Sequence, residues 1–149
     1  MNPENQLGED IQRIIRYFSQ KPNIAALYLF GSSAKRNNNC SRDMDIAVMF
    51  DPYVPNREGV EFLLYSADME GIVNREVDLV CFNQADPVLR YEILKNGRLI
   101  FEGNREARID LAVKTMIDVE ESQSFLDQGV LLVREYLKKS KAFRHDQSV

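Results

Sequence analysis

Histidine and cysteine are scarce in this chain of 149 residues, with one His (His145) and two Cys (Cys40 and Cys81). So few imidazole and thiol ligands, at no metal-binding or redox spacing, exclude a zinc cage or a dithiol centre. Cys81 alternates with Val77 and Leu79 and reads as a small core hydrophobe, whereas Cys40 falls in a polar loop. The simple expectation is a disulfide-free protein of the cytoplasm. A basic surplus is also lacking: 19 Lys and Arg face 23 Asp and Glu, for a net charge of −4. A protein held to a polyanion by phosphate contacts carries the opposite balance, so stable nucleic-acid binding is not expected. No apolar run approaches the roughly 20 residues of a membrane span, and Asn2 to Glu9 is too polar and acidic for a secretory leader. Internal repeats and low-complexity stretches are absent as well.

What remains is an ordinary globular mix, 44% hydrophobic and 28% charged, long enough for one domain over residues 1–149. Helical spacing runs from about Asp10 to Gln20, with Ile11, Ile14, Ile15 and Phe18 on one stripe, and stops at Pro22-Asn23. Ile24 to Phe30 is a continuous apolar run, the mark of a buried strand. Gly31-Ser32-Ser33 breaks it, and Arg36 to Arg42 is a polar loop. Met44 to Phe50 predicts a second strand and Pro55 to Asn74 a helix, with Val60, Leu63, Leu64, Ala67 and Ile72 at helical spacing. Glu76 to Phe82 predicts a third strand. Asp86 and Pro87 suit the N-cap and first position of a helix reaching about Lys95, closed by Asn96-Gly97. Arg98 to Glu102 is a short fourth strand. From about Asn104 to Lys139 the pattern is helical, with Ile109, Ala112, Val113, Met116 and Ile117 as an early stripe; Gly129 is expected to divide it into two helices. The polar tail 140–149 is expected to fray. This order predicts an α+β fold: a small mixed β-sheet with helices packed on one face, a core over about 10–102, and a C-terminal helical extension.

Chemistry concentrates in one segment: Gly31-Ser32, ten residues, then Asp43-Met44-Asp45. Asp43 and Asp45 stand two apart at a strand start, so both carboxylates project from one face, while Met44, Ile46 and Val48 take the other. Asp78, between Val77 and Leu79, points away from the core in the third strand. If the second and third strands are neighbours, all three carboxylates meet. Two unit charges about 4 Å apart cost roughly 4 kcal/mol at an effective dielectric near 20. Such a cluster persists with a proton or a cation. Hard oxygen ligands without His or Cys select Mg²⁺, with Mn²⁺ as an alternative, and carboxylates bridging two such ions are the apparatus of in-line phosphoryl displacement. Asp43, Asp45 and Asp78 are therefore the candidate catalytic and metal-ligating residues. Gly31 lets backbone approach a phosphate, and the amides of Ser32 and Ser33 open a helical turn that favours an anion. Lys35, with Arg36 and Arg42, adds positive charge. Gly31, Ser32, Ser33 and Lys35 are the candidate nucleotide-binding residues. Each feature alone has a bland reading: a turn with a cap, a solvated Asp pair, an edge-strand Asp. Their combination at these spacings does not.

These residues resemble the nucleotidyltransferase superfamily related to DNA polymerase β, in particular its minimal (MNT) branch, whose pattern is Gly-Ser, ten residues, Asp-x-Asp. Asp78 is similar to the family's third carboxylate, and Asp86 to Glu102 looks like the segment that follows it. One departure is visible: Lys35 and Arg36 stand where members often carry Arg-Gly. The resemblance implies two Mg²⁺ ions, ATP as donor, and an antitoxin role beside a HEPN-domain ribonuclease toxin, with AMP transferred to a tyrosine hydroxyl of that toxin. Two other readings stay open: a non-catalytic binding antitoxin, and a nucleotidyltransferase for a small molecule of the aminoglycoside kind. The second normally needs a larger helical domain than the 45 or so residues after the fourth strand supply, although a homo-oligomer would provide the missing wall. His145 directly follows Arg144 in the tail, which does not fit the spaced Arg and His of a HEPN nuclease. The apolar run Val130 to Val133 with Tyr136 and Leu137 reads either as sheet cover or as a partner surface.

Overall fold

The computed structural model describes residues 3–34 and 43–147; Lys35 and the polar loop through Arg42, Cys40 included, lie outside the described residues. The element order is α1 (Pro3–Ser19), β1 (Ile24–Phe30), a turn of 3₁₀ helix (Gly31–Ala34), β2 (Asp43–Phe50), α2 (Pro55–Ile72), β3 (Glu76–Cys81), a short 3₁₀ turn (Phe82–Gln84), α3 (Pro87–Asn96), β4 (Arg98–Glu102) and α4 (Arg105–Gln147). The four strands form one mixed sheet in the order β3-β2-β1-β4. β1 runs antiparallel to both β2 and β4, and β2 runs parallel to β3. A parallel neighbour needs a crossover, and α2 supplies it. β1 is apolar throughout because it has a strand on each side and helices over both faces.

The two faces carry separate cores. On one, Leu7, Ile11, Ile14 and Phe18 of α1 and Tyr65 and Met69 of α2 pack on Leu27 and Leu29 of β1 and on Met44, Ile46 and Val48 of β2. On the other, Ala26, Tyr28, Ala47 and Met49 meet Phe82, Ile93 of α3, and Ala107 and Leu111 at the start of α4. Helices thus take the face expected of them, and α3 and α4 cover the second face as well. The cause is the alternation in β2. Its even positions are all large and apolar, and its odd positions turn from Asp43 and Asp45 to Ala47 and Met49, so half of the second face also needs cover.

Three expectations change. Of the α2 stripe, Val60, Leu63, Leu64 and Ala67 face solvent and Ile72 packs against the core, while Tyr65, Met69 and the following Val73 are buried. Periodicity identified the helix, but α2 has apolar residues on both sides. The side with Tyr65 wins because its ring meets Phe18 edge-on, with centroids 5.6 Å apart. In α4 the stripe of Ile109, Val113, Met116 and Ile117 is also exposed, while Ala107, Leu111 and the fully buried Thr115 face inward. And α4 is one helix of 43 residues. Gly129 does not divide it, and the helix continues through most of the tail to Gln147. An interior glycine costs about 1 kcal/mol relative to alanine, too little to break a helix whose neighbours are Leu, Val, Arg, Glu and Lys.

Polar groups tie the elements together. Asp10 of α1 is buried and pairs with Arg75, just before β3, at 2.7 Å. Asp86 caps α3 by accepting the Leu89 N–H at 2.9 Å. Asn83 clamps the end of β2: its Oδ1 accepts the Phe50 N–H at 2.8 Å and its Nδ2 donates to the Phe50 carbonyl at 3.0 Å. Asn83→Ala removes both partners from a buried peptide. It is expected to cost about 2 kcal/mol in a urea titration, at the usual penalty of 1–3 kcal/mol for a stranded polar group. A loss below about 0.5 kcal/mol would mean that water replaces the clamp.

Candidate active site

Parallel pairing sets the site. In the β2–β3 register Asp45 lies directly opposite Asp78, and Asp43 opposite Glu76. In the β1–β2 register Phe30, the residue before Gly31, lies opposite Asp45. Asp43, Asp45 and Asp78 therefore occupy the second face, at the end of β2 that α3 and α4 leave uncovered. Asp43 and Asp78 are exposed and Asp45 is half-buried between them. Burial, then the charge of Asp78, then that of Asp43 push the Asp45 carboxyl above the usual carboxylate range. Among the described residues no three acidic, His or Cys side chains stand together closely enough to hold a metal ion, so the structure places Asp43, Asp45 and Asp78 on one face without gathering them into a ligand set. The carboxylates share a face, and their like charges repel one another.

Gly31 closes the site from the β1 side. Its φ of 69° is left-handed, and a Cβ added there would collide with Asp45 Oδ2. Glycine thus serves two needs at once: the turn out of β1 and the close approach to the carboxylate. Gly31→Ala is expected to push Asp45 out of register with Asp78, to lower stability by about 1–2 kcal/mol for the left-handed backbone, and to reduce nucleotidyl transfer by roughly tenfold or more, in keeping with the cost of a misplaced reacting group. Unchanged turnover with the same variant would separate Gly31 from the chemistry.

The remaining candidates divide. Ser32 is exposed at the turn. Ser33 is buried and its hydroxyl donates to the Phe30 carbonyl at 3.3 Å, so its side chain holds the turn and only its backbone is left for an anion. Lys35 lies outside the described residues. A recess of about 570 Å³ opens at the β3 edge beside the end of α2, with Glu70, Arg75 and Asp78 among its lining. Asp78 belongs to that lining and Asp45 does not, so the recess adjoins the carboxylates without containing them. Sequence reasoning missed Asp10 and its partner Arg75. Asp10 sits three residues after Leu7 and four before Ile14, inside the apolar stripe, and an acid there signals a buried partner.

Comparison with known proteins agrees with this geometry. The family model described as polymerase beta, nucleotidyltransferase, matches residues 12–106. The protein adenylyltransferase MntA of Aphanizomenon flos-aquae (strain 2012/KM1/D3) is 25% identical over 95 residues, covering 59% of this chain and 63% of that protein. The chain thus aligns with somewhat less than two thirds of that relative's length. Among solved structures, a toxin–antitoxin with AMP-PNP superposes at a TM-score of 0.62 with 23% identity, covering 79% of this chain and 96% of the other. A complex of tri-AMPylated Shewanella oneidensis HEPN toxin with MNT antitoxin gives 0.61 with 24% identity, covering 82% and 97%. These superpositions establish the fold, and the family model, covering most of the chain with both carboxylate strands and the Gly-Ser turn inside it, establishes the lineage: the chain belongs to the polymerase beta nucleotidyltransferase family.

Proposed function

We propose that this chain is a protein adenylyltransferase that moves AMP from ATP to a tyrosine hydroxyl of a HEPN-domain toxin, and so acts as the antitoxin of that pair in the cytoplasm. The observation that carries the reading is the register of Asp45 against Asp78, with Gly31 pressed on Asp45. The relatives' own descriptions, an adenylyltransferase and an AMPylated toxin held by its antitoxin, support the donor and the acceptor.

The donor set fits divalent ions. It is all oxygen and acidic, and Asp45 lies directly opposite Asp78 in the β2–β3 register. Asp43 and Asp45 would hold two Mg²⁺ and Asp78 would share the ion nearer the acceptor. When bound, the ions supply neutralisation of the triphosphate and acidity at the attacking hydroxyl. The chain's own part is placement. Gly31 and the amides of Ser32 and Ser33 hold the triphosphate against the β1 turn, with Lys35 adding charge. Asp78 accepts the tyrosine proton as the phenolic oxygen bonds to the α-phosphorus and pyrophosphate leaves. The whole chain serves as one nucleotidyltransferase unit, and the uncovered end of the sheet leaves room for an acceptor carried on another protein.

The test is intact mass of the toxin after incubation with this chain and Mg-ATP. The expected result is the added mass of one or more AMP groups with loss of ribonuclease activity. A neutralised toxin of unchanged mass would overturn the reading in favour of stoichiometric binding. The exposed apolar stripe of Val60, Leu63 and Leu64 gives that second reading some weight. An Asp43→Asn, Asp45→Asn double variant separates the two, because a purely binding antitoxin keeps its full protection.

A further inference from the structure

The end of α4 is unpartnered in a patterned way. Among the described residues the last side-chain ion pair between α4 and the body is Arg90 to Asp118 at 3.5 Å, and from Asp127 to Lys139 every residue is exposed. At the usual rise the 43-residue helix is about 65 Å long. Its far part carries Val130, Leu131, Leu132, Val133, Tyr136 and Leu137 with 51–73% of each exposed. Single exposed apolar residues are ordinary, whereas a contiguous patch on a projecting helix marks an interface.

The spacing describes the partner. Met116, Val119, Val130, Val133 and Leu137 fall on one 3-4 heptad seam, with Gln123 between its two apolar stretches. We propose that this seam pairs antiparallel with α4 of a second copy of this chain: Val130 lies level with the copy's Val133 inside the seam, and residues flanking the seam meet partners two positions off that level. Three features meet in that one register. Asp127 falls opposite the copy's Arg134 and Arg134 opposite the copy's Asp127, giving two symmetry-related charge pairs. Gly129 falls opposite the copy's Tyr136, so the notch left by a missing side chain receives the largest ring on the arm; nothing else lies within 4 Å of a Cβ at Gly129. And position 144 of the copy reaches back to Val119, just past the last tie to the body, so the two arms overlap along their free length. A two-fold pairing must be self-complementary, and this register is.

The experiment is sedimentation velocity of the full chain over a concentration series. A dimer is expected. Asp127→Arg alone, or Arg134→Asp alone, turns both charge pairs repulsive and should weaken it on the order of tenfold. The double variant, and an equimolar mixture of the two single variants, should restore it. Gly129→Ala should weaken the dimer while raising helix content by circular dichroism, which excludes misfolding as the cause. A chain that is monomeric throughout, or charge variants that the double exchange fails to restore, would overturn the proposal. A monomer whose variants lose toxin binding instead would assign the seam to the toxin. Because AMP transfer is read separately by intact mass, failure here leaves the proposed activity standing.

Discussion

Asp45→Asn is expected to lower AMP transfer on the order of 10³-fold and, in metal-free protein, to raise the thermal midpoint. On the proposed function, the first effect follows from the several kcal/mol of charge stabilisation that a carboxylate holding a divalent ion would supply, at about 1.4 kcal/mol per tenfold. The second follows from Asp45's surroundings. Burial and the charges of Asp78 and Asp43 raise its folded pKa above the unfolded value. The stability this group confers is therefore complete below the ordinary Asp range, about 4, and is lost as pH rises through the raised value. Above that raised value the charged form is a net cost, and asparagine removes it. Metal-free wild type should lose stability as pH climbs through that window, and the variant should show a flatter profile. Added Mg²⁺ should restore wild type and leave the variant unmoved. Thermal melts with and without Mg²⁺, beside a transfer assay, check all of this. A variant that melts lower than wild type without metal, or that transfers AMP at the wild-type rate, contradicts the assigned role.

The largest expected effect on stability lies away from the site. Asp10 is 1% exposed in its side chain and Arg75 11%, and they meet at 2.7 Å. Arg75→Ala strands a buried carboxylate. Gln6 reaches Asp10 only at 3.3 Å, and Arg13, half-exposed, only at 4.0 Å. Breaking a buried pair from one side costs about 3–5 kcal/mol. For a chain of this size that is a fall in midpoint of roughly 6–20 °C. Replacing both partners together, Asp10→Leu with Arg75→Met, should recover most of the loss, since apolar pairs of similar volume often match a buried ion pair. A shift of less than about 2 °C in the single variant would mean that Asp10 finds solvent when the arginine is gone.

Much of the site was legible because its spacing reports strand geometry. Ile24 to Phe30 is bounded in the sequence as in the structure, and Asp43 and Asp45 share a face by simple alternation. Asp78 joins them because β3 lies parallel to β2 with Val77, Leu79 and Cys81 level with Met44, Ile46 and Val48; alternation predicts the shared face, while the adjacency and the register come from the fold. What was not legible concerns choices between equivalent faces. Both α2 and α4 carry apolar residues all round, so periodicity marks the helix and tertiary packing picks the buried side. Gly129 read as a break because glycine is a poor helix former, but a single residue does not outweigh forty others. Asp10 was overlooked because an acid within an apolar stripe looks like the stripe's edge until Arg75, far along the chain, arrives beside it.

The sheet order also dictates a sequence of events at the ribosome. In chain order β1, β2, α2 and β3 emerge first, so Asp43, Asp45 and Asp78 are all synthesised while β1 still lacks β4 on one edge. That edge waits for β4, and the bare Ala26, Tyr28, Ala47 and Met49 surface waits for α3 and the first turns of α4. Throughout that interval one edge of an apolar central strand is open, a form prone to join a neighbour's. Pauses in translation between β3 and α4 are therefore the moments at which this protein most needs a chaperone.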